Sequence, residues 1–91
     1  MHEKYWSVEL LKDSLKYLKK LSRNTAERIL GKLERLESVE NPAFHKDVKP
    51  LTGKLKGYFR LRVGDYGLIL EMDRDQKRIG VLVIVPRGDA H

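Results

Sequence analysis

Residues 49–66 read KPLTGKLKGYFRLRVGDY, and this stretch decides the fold because cationic and apolar side chains alternate along it. Arg60 and Arg62 point to one side of an extended chain and their apolar neighbours point to the other, which is the pattern of a half-buried strand. Gly64 and Asp65 then supply a two-residue signal for a tight turn. We therefore expect a β-hairpin with one apolar and one cationic face.

The turn also predicts the register of this hairpin. If Gly64 and Asp65 form the loop, Arg62 pairs with Gly67, and cross-strand partners share a face of the sheet. The apolar face then contains Phe59, Leu61, Val63, Tyr66, Leu68, Leu70 and Met72. Arg60 and Arg62 stand together on the opposite face, either as a solvated surface that discourages aggregation or as a site for anions.

Composition limits the classes of function. The 91 residues suffice for one small core, and 19 Lys and Arg against 13 Asp and Glu give a net charge of +6, which suits a polyanionic partner. The absence of cysteine excludes disulfides and thiolate chemistry, and His2 and His45 lack the spacing of metal ligands. No apolar run is long enough to span a bilayer. We expect a soluble, cytoplasmic protein without a metal or other cofactor.

The remaining segments predict the other elements of the fold. Period-two apolar residues at 5–10 predict a first strand, and helical spacing from about Lys12 to Leu21 predicts a helix. Asn24 with Glu27 three residues later resembles a capping box that opens a second helix. The expected apolar stripes of the two helices are Leu11, Leu15, Leu18 and Leu21, and Ala26, Ile29, Leu30, Leu33 and Leu36.

The last strand and the long connection complete this prediction. Prolines bracket a loop at 40–50, and the β-branched run at 78–85 indicates a central strand covered on both faces. We predict an α+β fold of order β-α-α-β-β-β, a mostly antiparallel four-stranded sheet with a helical hairpin packed on one face.

Three segments, residues 12–21, 50–66 and 85–91, resemble the RelE/ParE toxin superfamily and, within it, the RelE-like mRNA interferase branch. The resemblance implies a single RelE-like toxin domain over residues 1–91. It also implies a ribosome-dependent endoribonuclease that cuts message in the ribosomal A site without a metal. The implied partners are the ribosome, mRNA and an acidic RelB-like antitoxin, which binds the toxin in a hetero-oligomer.

The implied chemistry is transesterification, in which a ribose 2′-OH attacks the adjacent phosphorus and the 5′-oxygen leaves. The cationic catalytic positions of the family fall on Arg60, Arg62 and Arg87, whose guanidinium groups can hold phosphate oxygens. His91 lies near a terminal position where relatives carry a Tyr or a catalytic His. Its imidazole is either a proton donor to the leaving oxygen or part of a frayed terminus.

The proton acceptor and the RNA contacts are less sharply indicated. Arginine is a poor base, so the candidates for the acceptor are Lys49, Lys54 and Lys56. The same three lysines are predicted to bind RNA, and Tyr58 is a candidate for stacking on a nucleobase.

Gly67 is the largest departure from the RelE pattern, since RelE-like relatives usually carry an arginine there. A plain structural alternative is a β-bulge beside the turn. Gly67 leaves two other functions open, namely a ParE-like inhibitor of DNA gyrase and a catalytically weakened relative that mainly binds its antitoxin.

Overall fold

The structure, a computed structural model, describes residues 4–86. In chain order the elements are β1 (Ser7–Leu10), α1 (Lys12–Lys20), α2 (Arg23–Glu37), β2 (Val48–Pro50), β3 (Phe59–Val63), β4 (Tyr66–Asp73) and β5 (Arg78–Pro86). Two 3₁₀ turns, Pro42–Phe44 and Gly53–Leu55, lie on either side of β2 in the chain.

The five strands form one sheet in the order β1-β5-β4-β3-β2. β1 runs parallel to β5, and the other neighbouring pairs are antiparallel. The α+β class, the chain order and the mostly antiparallel pairing are confirmed. The predicted number of four strands is wrong, because β2 forms inside the expected loop. Pro50 is tolerated there because β2 is an edge strand, where a missing N–H leaves no ladder bond unmade.

The hairpin register is confirmed residue by residue. Val63 pairs with Tyr66, and Arg62 pairs with Gly67. Gly64 has φ +56°, which favours glycine at the first position of a two-residue loop. The guanidinium of Arg28 in α2 closes over the turn, with Nη2 only 2.8 Å from the place of a Cβ on residue 64. The positive φ therefore calls for glycine there, and any larger residue would also displace the flexible guanidinium of Arg28.

The core lies between the sheet and the two helices. Leu61, Leu68 and Leu70 contribute fully buried side chains from the hairpin, as the alternation predicted. The cluster is completed by Val63 of the hairpin and by residues of the helices, the other strands and the segment before β1, namely Trp6, Leu18, Ile29, Leu33, Leu36, Val48, Ile79, Val81 and Ile84. Ser14 of α1 is fully buried, and its hydroxyl donates to the carbonyl oxygen of Val81 at 2.8 Å. This bond fixes α1 against β5.

Three finer expectations were wrong. Ser22, not Asn24, caps α2 and accepts a hydrogen bond from the N–H of Thr25, because the turn between the helices is two residues shorter than expected. Leu15 and Leu30, placed in the apolar stripes, are 39% and 44% exposed. β5 is central in the sheet, but Val83 and Val85 on its face away from the helices are only half-buried among residues 4–86.

Candidate functional site

The sheet face that points away from the helices carries the candidate site, and we call it the open face. Arg60 and Arg62 project from β3 on this face, as predicted, and both are exposed. Lys49 of β2 pairs directly with Arg60 and is also exposed. These three residues, Lys49, Arg60 and Arg62, form the cationic cluster of the open face.

No carboxylate balances the arginines of this cluster within the described chain. The ion pairs between residues 4 and 86 join Lys4 to Glu37, Arg23 to Glu27, Lys32 to Asp47 and Arg78 to Glu9. Like charges placed opposite one another, such as Lys49 and Arg60, destabilise a pair of strands. A bound anion would relieve this repulsion, and guanidinium groups are well suited to phosphate.

Gly67 lies beside the cationic cluster and is not in a bulge. It pairs regularly with Arg62 on one side and Val85 on the other, and the register shift between β4 and β5 occurs at Ile69/Leu70. A Cβ at residue 67 would lie 3.4 Å from Cδ and 3.7 Å from Cγ of Arg60. The stem of Arg60 therefore lies diagonally across β4, over the glycine.

Asp47 connects the long loop to both the helix layer and the cationic cluster. Its carboxylate accepts a hydrogen bond from Lys32 of α2 at 2.6 Å, and its backbone carbonyl accepts one from the N–H of Arg62 at 2.9 Å. The Lys32 ammonium, chiefly through this hydrogen bond, holds the pKa of the Asp47 carboxyl below its ordinary value of 3.8. One residue thus ties the backbone of Arg62 to α2.

The other predicted site residues are more scattered. Lys54 and Lys56 are exposed in the connection between β2 and β3, within and just after the 3₁₀ turn Gly53–Leu55. Tyr58 is half-buried, and its carbonyl oxygen accepts a hydrogen bond from the N–H of Leu51 at 2.9 Å. Arg87 and His91 lie outside the described residues.

Sequence reasoning missed an acidic region on the same open face. Glu71 of β4 pairs with Gly80, and a Cβ on that glycine would lie 2.9 Å from its Oε1, so the carboxylate points towards β5 and away from Arg60. Arg78 lies 3.4 Å from Glu9, and these four residues help to line a cleft of about 350 Å³. The period-two pattern of β4 contained the signal, since residues 67, 69, 71 and 73 share the open face.

No helix within residues 4–86 combines the length and apolar character needed to cross a bilayer. No group of three or more His, Asp or Glu side chains there has an arrangement that could hold a metal ion.

Comparison with known families gives one match over most of the chain. The family described as ParE toxin of type II toxin-antitoxin system, parDE, matches residues 8–91. No curated protein sequence matches the chain significantly.

Solved structures similar to this chain include a RelE toxin and RelE-RelB toxin-antitoxin complexes. The archaeal RelE-RelB complex from Pyrococcus horikoshii is 31% identical, with a TM-score of 0.77 over 94% of this chain and 99% of that one. The RelBE2 toxin-antitoxin complex from Mycobacterium tuberculosis is 22% identical, with a TM-score of 0.79 over 94% and 95%. A free E. coli RelE mutant is 17% identical, with a TM-score of 0.73 over 97% and 88%.

Proposed function

The chain belongs to the ParE toxin family within the RelE/ParE superfamily of type II toxin-antitoxin systems, and we propose that it is a ribosome-dependent mRNA endoribonuclease. The proposed place of action is the cytoplasm, on message bound in the ribosomal A site. The observation that carries the proposal is the cationic cluster, in which two exposed arginines and a lysine share one face without a carboxylate partner among residues 4–86.

The proposed reaction is a transesterification at one phosphate of the message. The 2′-oxygen forms a bond to phosphorus and passes its proton to a base, while the bond from phosphorus to the 5′-oxygen breaks and that oxygen takes up a proton. Negative charge grows on the non-bridging oxygens in the transition state. Arg60 and Arg62 would stabilise that charge, because fixed cations facing developing charge need no reorganisation during the reaction.

Roles for the other residues are part of the same proposal. Three lysines are candidates for the proton acceptor. Lys49 pairs directly with Arg60, whereas Lys54 and Lys56 lie in the connection between β2 and β3. By resemblance, Arg87 adds a third guanidinium and His91 donates a proton to the 5′-oxygen. Lys49, Lys54, Lys56 and Tyr58 would also contact the RNA.

The proposed inhibitor is an acidic RelB-like antitoxin that forms a hetero-oligomer with this chain. Two of the similar structures, those from P. horikoshii and M. tuberculosis, are toxin-antitoxin complexes. An acidic segment would complement the net charge of +6, and its attraction would weaken as salt screens the charges.

A second candidate function is inhibition of DNA gyrase. Two points favour it: the matching family is named for ParE, and Gly67 adds no cation where, by the resemblance, RelE-like toxins carry an arginine. A gyrase inhibitor acts by binding and needs no phosphate chemistry. Gly67 also allows a weaker form of the first proposal, in which the chain is a catalytically weakened relative that mainly binds its antitoxin.

Message cleavage on programmed ribosomes, run beside gyrase supercoiling, separates these functions. We expect the wild-type chain to cleave message on programmed ribosomes and to leave supercoiling by gyrase unchanged. Inhibition of supercoiling without cleavage would replace the proposal with the gyrase function. Activity in neither assay, with antitoxin still bound, would indicate the weakened relative.

A further inference from the structure

Phe44 is the most exposed large apolar side chain in the described part of the protein. It is 83% exposed, whereas the other exposed large apolar side chains between residues 4 and 86 are 39–46% exposed. The ring lies at the end of the 3₁₀ turn Pro42–Phe44, and neither the core nor the cationic cluster accounts for it. A single exposed apolar side chain is common on protein surfaces, but a ring this exposed leaves its planar faces accessible to a planar partner.

The turn that carries Phe44 is held by several bonds. The N–H of Phe44 donates to the carbonyl oxygen of Asn41 at 3.0 Å, and the N–H of His45 donates to that of Pro42 at 3.1 Å. The N–H of Asp47 then donates to Nδ1 of His45 at 3.0 Å. Asp47 in turn holds Lys32, so the turn is fastened to α2 and the ring is displayed from an ordered support.

The chain that follows the ring is mostly cationic, whereas Glu34 and Glu37 line a cleft with the neighbouring His45 on the α2 side. Residues 41–64 contain six Lys or Arg and one carboxylate, Asp47, whose charge is compensated by Lys32 at 2.6 Å. Lys46 is exposed two residues after Phe44. The N–H of Val48 at the start of β2 donates to the carbonyl oxygen of His45, so the turn adjoins the strand that carries Lys49. Phe44 therefore lies next to the edge strand that carries Lys49 of the cationic cluster.

This combination favours nucleic acid over an apolar protein segment. A helix or strand of a partner protein docks on several contiguous apolar side chains. Phe44 lies before β2, whereas the exposed Leu55 lies in the turn after β2, so the two do not follow one another along the chain. Single-stranded nucleic acids are bound by a row of cations with isolated aromatic rings on which bases stack.

We propose that Phe44 stacks on an unpaired nucleobase of the RNA whose phosphates lie along the cationic cluster. This inference rests on the proposed function for its partner and adds a second contact outside the reacting phosphate. The base belongs either to the message or to ribosomal RNA, since both offer the same stacking surface.

The test measures the affinity of the full chain for ribosomes with Phe44→Ala, Phe44→Leu and Phe44→Trp variants, and with Leu30→Ala as a matched loss of an exposed apolar side chain. Stacking on one base corresponds to a loss of about 5- to 150-fold for Phe44→Ala. We expect Phe44→Leu to lose nearly as much, Phe44→Trp to bind at least as well as wild type, and Leu30→Ala to be unchanged. Losses on programmed but not on empty ribosomes would assign the base to the message, and equal losses on both would assign it to ribosomal RNA.

A direct readout is the fluorescence of Phe44→Trp titrated with a short single-stranded RNA, with wild type, which contains only the buried Trp6, as the background. Quenching of the new tryptophan supports the proposal even if wild type cleaves no message. Failure of the nuclease function can therefore be told apart from failure of the stacking proposal. Unaltered ribosome affinity of Phe44→Ala together with unquenched fluorescence would overturn it. The proposal would also be overturned if Phe44→Ala bound ribosomes like wild type but no longer bound the co-expressed antitoxin.

Discussion

The side chain of Arg60 lies over Gly67, within contact distance of the place that a Cβ would take at that position. Cδ of Arg60 lies 3.4 Å from the place of a Cβ on Gly67, which is ordinary van der Waals contact. Arg60 pairs directly with Ile69, so it reaches Gly67 diagonally across the two strands. The missing side chain thus leaves no hole, because the stem of a neighbouring arginine covers it.

This relationship makes Gly67→Arg an informative substitution. The backbone of Gly67 is extended and regularly paired, and only the flexible stem of Arg60 approaches it, so we expect a melting temperature at or slightly above that of wild type. One preorganised donor is worth about 10² to 10³ in rate, and we expect cleavage to rise by at least about tenfold.

Gly67→Ala is the control for that substitution, since it adds the Cβ without a cation. It should leave both the melting temperature and cleavage close to wild type. A Gly67→Arg protein that is destabilised and gains no cleavage would show that Arg60 needs the vacant space more than the site needs another cation.

Arg60→Ala and Arg62→Ala should each reduce ribosomal cleavage by about 10² to 10³, because each removes a guanidinium that faces the developing charge. Both side chains are exposed, so unfolding temperatures should change little. Arg74→Ala, an exposed charge-matched change in the turn after β4, should leave cleavage intact. An equal loss in all three variants would mean that only net charge matters.

The ion pair between Lys32 and Asp47 predicts a pH-dependent stability. The pKa of Asp47 is lowered in the folded protein, so the stabilisation is fully present above the ordinary value of 3.8 and is lost as the pH falls through the folded value. Lys32→Met should therefore lower the melting temperature near neutral pH, and the difference from wild type should shrink below pH 3.8. Lys16→Met on the exposed surface of α1 serves as the control. A pH-independent difference for Lys32→Met would assign the effect to packing of its stem.

Two adjacent residues of α2 test the core assignment. Ile29 is 0% exposed and Leu30 is 44% exposed, although sequence analysis placed both in one apolar stripe. Ile29→Ala should destabilise the protein by about 2–5 kcal/mol through lost burial and a residual cavity. Leu30→Ala should change stability by less than about 1 kcal/mol. Chemical denaturation of the two variants measures the contrast, and equal losses would contradict the orientation of α2.

The hairpin shows why part of this protein could be predicted from sequence. Alternation along residues 59–63 and the glycine at 64 act between near neighbours in the chain, and a strand register allows only one set of side chains to face the core. The same local rules placed Arg60 and Arg62 together on the open face. They also placed Glu71 and Asp73 there, although that consequence was not drawn from the sequence.

Errors arose where a distant segment decides the outcome. β2 exists because residues 48–50 meet the free edge of β3, and its proline would argue against a strand anywhere but at an edge. Leu30 is apolar and correctly spaced, but it lies at the margin of the stripe, where the sheet does not reach.

The sequence by itself determined the α+β class, the hairpin register and the shared face of Arg60 and Arg62, because alternation, turn chemistry and charge are properties of short segments. Only the tertiary structure decided that Arg60 lies over Gly67, that Lys32 holds Asp47, and that Phe44 stands exposed next to the edge strand that carries Lys49. Each of these features depends on how segments far apart in the chain pack against one another, and local sequence patterns do not specify that packing.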